Sequence, residues 1–167
     1  MTMATAFCVA ALRANNPRSN SALSVEGQEV HTRVTGVWSS FDQSFSLNYH
    51  GELVAELELL TAEHSKPGWD GDSAPPVSYA TFQNAKDFIS TLGTSLPKPE
   101  LAVEPDDASI SFEWHSGYRR VVSVSVGDGE RIAIAGLDGV DEWHAALKFD
   151  GVSLPEFVTQ SIRRITA

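Results

Sequence analysis

Two aspartates, Asp70 and Asp72, stand one residue apart in a glycine-rich segment, and this spacing raises two chemical possibilities. They could form an acid/base couple if a histidine such as His115 came within hydrogen-bond reach of the same substrate atom. They could also begin a calcium loop, but Ala74 and Pro75 offer no side-chain oxygen where such a loop needs one. A structural interpretation is favoured, because aspartate in such a loop closes local turns with its own carboxylate.

The other residues capable of chemistry are scattered. No two histidines have the i, i+4 spacing of a helical metal site, or the alternation that places two ligands on one strand face. Cys8 is the only cysteine, so an internal disulfide is excluded and a zinc-thiolate site is not expected. We therefore expect no catalytic residue, no metal and no cofactor. The five histidines are His31, His50, His64, His115 and His144.

The segment Lys66–Pro76 combines three prolines and two glycines with Trp69, so it cannot be regular helix or central strand. The tryptophan could present an exposed platform for a ligand, or it could plug the loop into the core, which is favoured because buried aromatics contribute large packing energy. If the loop is a presented surface, the candidate binding residues are Trp69, Asp70 and Asp72, with Trp143 as a second aromatic anchor.

Three helices are predicted from apolar residues at helical spacing. The first ends near His64, the second is capped by Ser78, and the third opens with Ser153 as a cap. Their apolar stripes are Leu53, Leu57 and Leu60 in the first helix, Phe82, Ala85, Ile89 and Leu92 in the second, and Val158, Ile162 and Ile165 in the third.

Between the second and third helices the apolar period changes to two. Strands are predicted at 110–114, 122–126 and 131–135, with a short one at 101–103 before them. Serines occupy much of the polar phase and predict one wet face of the sheet. Residues 138–150 show no clear period and are expected to fold over an end of the sheet as a mobile or recognition element. The fold class is α+β in two layers: an antiparallel meander of three to five strands against two or three helices.

The chain divides in composition near residue 45. Residues 1–45 are expected to be an N-terminal extension, partly flexible, in which 28–38 fit a strand. Residues 46–167 are expected to form a single α+β domain. The apolar start of the chain lacks a basic segment before it, and no apolar run has the length of a membrane span, so a cytoplasmic protein without membrane association is expected.

Composition limits the classes of function. The chain is 42% hydrophobic and 20% charged with a net charge of −10, which is typical of a soluble globular protein and unsuited to nucleic acid. The same charge favours a protein partner with a basic surface. We expect a non-enzymatic interaction protein whose binding would neutralise its partner, analogous to antitoxin, immunity or anti-defence proteins. The alternative is a small hydrolase or transferase that uses Asp70 and Asp72 with a histidine.

The residue strings Pro67-Gly68-Trp69-Asp70-Gly71 and Ala74-Pro75-Pro76, followed by Glu113-Trp114 and a β-meander, resemble those of a group of uncharacterised bacterial proteins. The resemblance covers about Leu53 to Ile165. It implies the same order of helix, loop, helix and meander in one domain. No activity is established for that group, so the resemblance implies a fold and leaves the function open.

Overall fold

The computed structural model describes residues 48–167, together with the single positions Thr32 and Val34. Residues 48–167 belong to one compact unit, Asp42–Ala167. Of the strand predicted at 28–38, only Thr32 and Val34 are described, and both are helical. The rest of that segment, and most of the predicted extension 1–45, lies outside the described residues. None of the described helices is long and apolar enough to cross a membrane.

The predicted α+β class is confirmed. Within residues 48–167, three helices, α1 (48–63), α2 (Tyr79–Thr91) and α3 (Glu156–Thr166), accompany one antiparallel sheet. The sheet is a meander in which each strand pairs with the next along the chain. Its strands are β1 (Glu100–Val103), β2 (Ile110–His115), β3 (Arg120–Val126), β4 (Arg131–Asp138) and β5 (Asp141–Lys148).

The helices form where the apolar periodicity predicts them. Leu53 and Leu57 of α1 are fully buried, and the Ser78 hydroxyl accepts a hydrogen bond from the Thr81 N–H at the start of α2. The predicted Ser153 cap of α3 is wrong: this helix has Pro155 at its N-cap position and no side-chain cap bond. Proline suits a helix start because it donates no N–H there.

The segment 138–150 is a further correction. It does not fold over an end of the sheet, because most of it is β5, which pairs with β4 from Arg131 opposite Lys148 to Asp138 opposite Asp141. Alanines stand on both faces of β5, so hydrophobicity hardly alternates along it, and the period of two is difficult to recognise.

The core lies between the helices and one face of the sheet. The apolar phase of β2, β3 and β4 is almost fully buried there, and Phe88 of α2 packs on Phe112 of β2 with ring centroids 4.7 Å apart. Leu53 and Leu57 of α1 and Val158 of α3 belong to the same cluster. The three helices therefore share one side of the sheet, and the serine-containing phase faces away from them. The predicted wet face is confirmed only in part, because Ser123 and Ser125 are partly exposed but Ser111 of β2 is fully buried.

Candidate functional site

The segment Lys66–Pro76 closes on itself through Asp70. One carboxylate oxygen of Asp70 accepts hydrogen bonds from the backbone N–H groups of Asp72, at 2.9 Å, and Ala74, at 3.2 Å. These donors, Asp72 first, hold the pKa of Asp70 below its ordinary value, because they favour the charged carboxylate. Asp70 therefore closes a local turn with its own carboxylate, as predicted. The two aspartates do not form a shared acid/base pair in this loop.

Trp69 closes the same loop against the end of α1. Its indole Nε1–H donates to the Pro75 carbonyl at 2.8 Å, and its ring meets the His64 ring edge-on at 4.3 Å between centroids. His64 is itself held, since its Nδ1 donates to the Leu60 carbonyl at 2.6 Å. Trp69 is half-buried and lies outside the core cluster. It is thus neither the plug into the core that packing energy favours nor a fully exposed platform.

The histidine proposed as a partner for the aspartates lies elsewhere. The His115 side chain is on the sheet face away from the helices, where its Nε2 lies 3.0 Å from a Glu113 carboxylate oxygen. Asp70 and Asp72 are in the loop that joins two helices on the opposite side. Among the described residues, no group of three or more His, Cys, Asp or Glu side chains could hold a metal ion. The structure therefore does not bring His115 together with Asp70 and Asp72.

Trp143 lies at the far end of the helical side, on β5. Its ring covers Gly136 of β4 so closely that a Cβ at that position would overlap it. The Arg164 guanidinium lies over the same ring, 4.6 Å from the centroid. Asp138 and Asp141 bind that guanidinium at 3.0 and 2.9 Å, and their hydrogen bonds raise the pKa of Arg164 further above its ordinary value. Trp143 is therefore enclosed between a glycine and a fixed cation.

The four predicted binding residues consequently do not share one surface. Trp69, Asp70 and Asp72 precede α2, whose first half contacts the β3–β4 turn through Asn84, a donor to the Gly127 carbonyl at 2.9 Å. Trp143 lies near the β4–β5 turn, at the opposite end of the sheet. Whether either end binds a partner stays a prediction.

The sheet face away from the helices carries a feature that the sequence did not indicate. One row across four strands reads His115, Val121, Leu137 and Glu142. The next row reads Glu113, Ser123, Ala135 and His144. In each row, one of the flanking strands β2 and β5 carries a glutamate and the other carries a histidine. Strands β3 and β4, which lie between them, carry small or apolar residues.

We name these eight residues the acidic trough. All of them except His115 line a shallow depression of about 490 Å³, together with Gly136 and Trp143. Val121 and Leu137 are half-buried cross-strand neighbours and form its apolar floor, and Ala135 beside them is exposed. The rims on β2 and β5 are three strand spacings apart, about 14 Å. No described helix covers this floor, and the distance between its rims matches the width of about one helix.

Two exposed apolar side chains stand at one end of the trough. Tyr118, in the β2–β3 turn, is 89% exposed, and Val140, in the β4–β5 turn, is 91% exposed. The two turns are fixed to each other, because the Arg119 carbonyl accepts the Gly139 N–H at 2.8 Å and the Arg119 Nε donates to the Gly139 carbonyl at 2.7 Å. These side chains are therefore presented on a braced backbone.

No family model matches the chain, and no curated protein and no solved structure matches it either. The resemblance to the proteins with the Pro-Gly-Trp-Asp-Gly segment accordingly stays a prediction.

Proposed function

We propose that this protein is a non-enzymatic acidic interaction protein that binds a basic segment of another protein in the acidic trough. The observation that supports this most is the combination of an apolar floor, Val121 and Leu137, with a glutamate on each rim, Glu113 and Glu142, on the sheet face that no described helix covers. Exposed apolar surface edged by charge is typical of an interaction site. The net charge of −10 would also steer a basic partner towards the protein.

The occupant that fits best is an amphipathic helix with lysine or arginine on both flanks. A helix with its side chains is about 10–12 Å across, which suits the roughly 14 Å between the rims. Its apolar stripe would lie on Val121 and Leu137, and its flanking cations would reach Glu113 on one side and Glu142 on the other. A second copy of the same face is a poor occupant, because it would oppose glutamates with glutamates.

Tyr118 and Val140 extend this surface at one end. Both side chains are almost fully exposed, and the backbone that carries them is braced between the two turns, so covering them orders little additional backbone. Tyrosine is among the residues that contribute most to binding energy at protein interfaces. We infer that these two side chains anchor the end of the bound helix.

A role as an antitoxin, immunity or anti-defence protein would follow if the bound segment were the partner's functional part; this rests on analogy in size and charge. The alternative of a small hydrolase or transferase has less support. Its proposed groups, Asp70, Asp72 and His115, lie on opposite sides of the sheet, and Asp70 is engaged by its own loop.

The trough can be tested with a pair of matched double variants. Glu113→Lys with Ala135→Lys reverses one rim and fills the floor, and both positions lie on the outer face, where a lysine can reach solvent. Glu58→Lys with Ala80→Lys makes the same change of charge on exposed positions of α1 and α2. Each protein is used for affinity capture from cells that express the natural chain, and the captured protein is then purified and titrated against all three forms.

We expect the partner to be basic and its binding to be weakened at least about a hundredfold by the trough variant, since a glutamate contact becomes a repulsion in a blocked site. The variant with Glu58→Lys and Ala80→Lys should have a dissociation constant within about threefold of that of the natural chain. Equal loss in both variants would show only a general effect of charge, and unchanged binding by the trough variant would exclude the trough.

A further inference from the structure

The outer edge of β5 is a second surface without a described partner strand. The Phe149 N–H donates to the Glu130 carbonyl at 2.9 Å, which makes that residue pair a hydrogen-bonded one. Because bonded and non-bonded pairs alternate in an antiparallel ladder, the even-numbered residues of β5 direct their N–H and C=O groups away from β4. These residues are Glu142, His144, Ala146 and Lys148.

This edge has little protection. β5 contains no proline, and its register with β4 is continuous, without a bulge, from one end to the other. Among the described residues, one side chain bonds to the outward backbone groups: the Arg131 Nη2 donates to the Ala146 carbonyl at 2.7 Å. Natural proteins usually block such edges with bulges, prolines, charged side chains or covering segments, because an open edge is a template for another strand. Of these devices β5 has charged side chains, and they stand at its two ends with opposite signs, Asp141 and Glu142 at one end and Lys148 at the other.

We propose that β5 pairs antiparallel with β5 of a second copy of this chain, about a two-fold axis at Ala145. In this register Glu142 lies opposite Lys148 of the second copy, and His144 lies opposite Ala146 of the second copy. Both pairings join outward-directed residues, so they form the hydrogen-bonded pairs of the new ladder. The two five-stranded sheets become one continuous sheet of two-fold symmetry.

Side-chain chemistry selects this register. On the outer face, the two-fold axis produces two Glu142–Lys148 pairs of opposite charge. On the helical side, Trp143 and Leu147 of the second copy stand opposite each other in a non-bonded pair. The Trp143 ring lies over Gly136 of its own chain, so the two charge pairs contribute most to the choice of register. Sliding by two residues in one direction would place Asp141 opposite Leu147 and Glu142 opposite Ala146, which loses the charge pairs and sets a carboxylate against an apolar side chain.

Two costs make this a weak, reversible dimer. Arg131 must release the Ala146 carbonyl, and Lys148 must leave Glu130, although that ion pair at 3.7 Å is highly exposed and worth little. One strand edge also buries less surface than a stable interface. The dimer population should therefore rise with concentration over a measurable range.

Sedimentation velocity of the full chain over about a hundredfold range of concentration tests the proposal. The natural protein should move from the 18.1 kDa of one chain towards twice that mass. Glu142→Lys and Lys148→Glu each turn two attractions into repulsions and should raise the dissociation constant at least about tenfold. An equimolar mixture of these two variants restores opposite charges and should form a mixed dimer at least as tight as the natural one.

The control is an equimolar mixture of Glu58→Lys and Lys86→Glu, which carry the same charge changes on exposed helix positions and should form no additional dimer. Ala146→Pro removes an outward N–H but none that bonds to β4, so it should abolish dimerisation while thermal unfolding stays close to natural. A chain that remains monomeric at the highest concentration overturns the proposal. A dimer that survives Ala146→Pro, or in which the charge-reversed mixture fails to associate, overturns the β5 pairing.

Discussion

Replacing Gly136 with alanine should destabilise the protein because of Trp143. The new Cβ would overlap the indole ring, and the ring cannot simply withdraw, since the Arg164 guanidinium lies over its other face at 4.6 Å. That guanidinium is fixed by Asp138 and Asp141. Overpacking typically costs about 1–3 kcal/mol, and the depth of this overlap favours the upper part of that range, about 2–3 kcal/mol. Replacing a strand glycine by alanine returns about 1 kcal/mol, so we expect a net loss of about 1–2 kcal/mol.

Urea unfolding followed by circular dichroism measures this loss as a fall in the midpoint of about 0.5–1 M, for a slope near 2 kcal/mol/M. The decisive comparison repeats Gly136→Ala in a Trp143→Ala background. Without the ring, the alanine should be neutral or stabilising, so the double-mutant cycle should give a coupling of about 1–3 kcal/mol. If Gly136→Ala costs the same in both backgrounds, the close approach of the ring to Gly136 is not the cause.

Three further outcomes are expected. The pKa of Asp70 is lowered in the folded protein, so its carboxylate adds to the free energy of unfolding above the unfolded pKa and this addition is lost below about pH 4. In unfolding titrations, the stability difference between the natural chain and Asp70→Asn should therefore shrink below about pH 4. Trp69→Phe loses the bond to Pro75 and should cost about 1 kcal/mol by urea unfolding. Burial raises the pKa of Tyr49 to about 12, so the tyrosinate absorbance of Tyr49 should appear only near that pH. The free energy of unfolding should fall above about pH 10, and Tyr49→Phe should remove both the absorbance change and this fall.

The sequence predicts most of the helical layer and the centre of the sheet. Leucines at helical spacing in α1 and valines alternating in β3 are strong signals because one side of each element is buried and the other is wet. The fifth strand is hard to predict from the sequence, because Ala145 and Ala146 lie on opposite faces of β5 and have the same hydrophobicity. The prediction of Ser153 as the cap of α3 is wrong because Pro155 suits a helix start without a side-chain bond.

The candidate site was harder to predict than the fold. Turn chemistry predicted the role of Asp70 because its partners are two and four residues away. The acidic trough joins residues of four strands, and Glu113 and Glu142 become opposite rims only once the register of every pair is known. No local spacing in the sequence contains the register of the strand pairs. The sequence therefore predicts binding residues in the tryptophan loop instead.

Site-specific photo-crosslinking in cells tests the central claim most directly. A photoreactive residue is placed at Ala135, on the trough floor, or at Ala80, an exposed position on the helical side near the tryptophan loop. The trough account predicts a covalent adduct with one basic protein from position 135, its disappearance when Glu113 is also changed to lysine, and little adduct from position 80. Adducts from position 80 alone, or adducts at 135 that persist with Glu113→Lys, would contradict it.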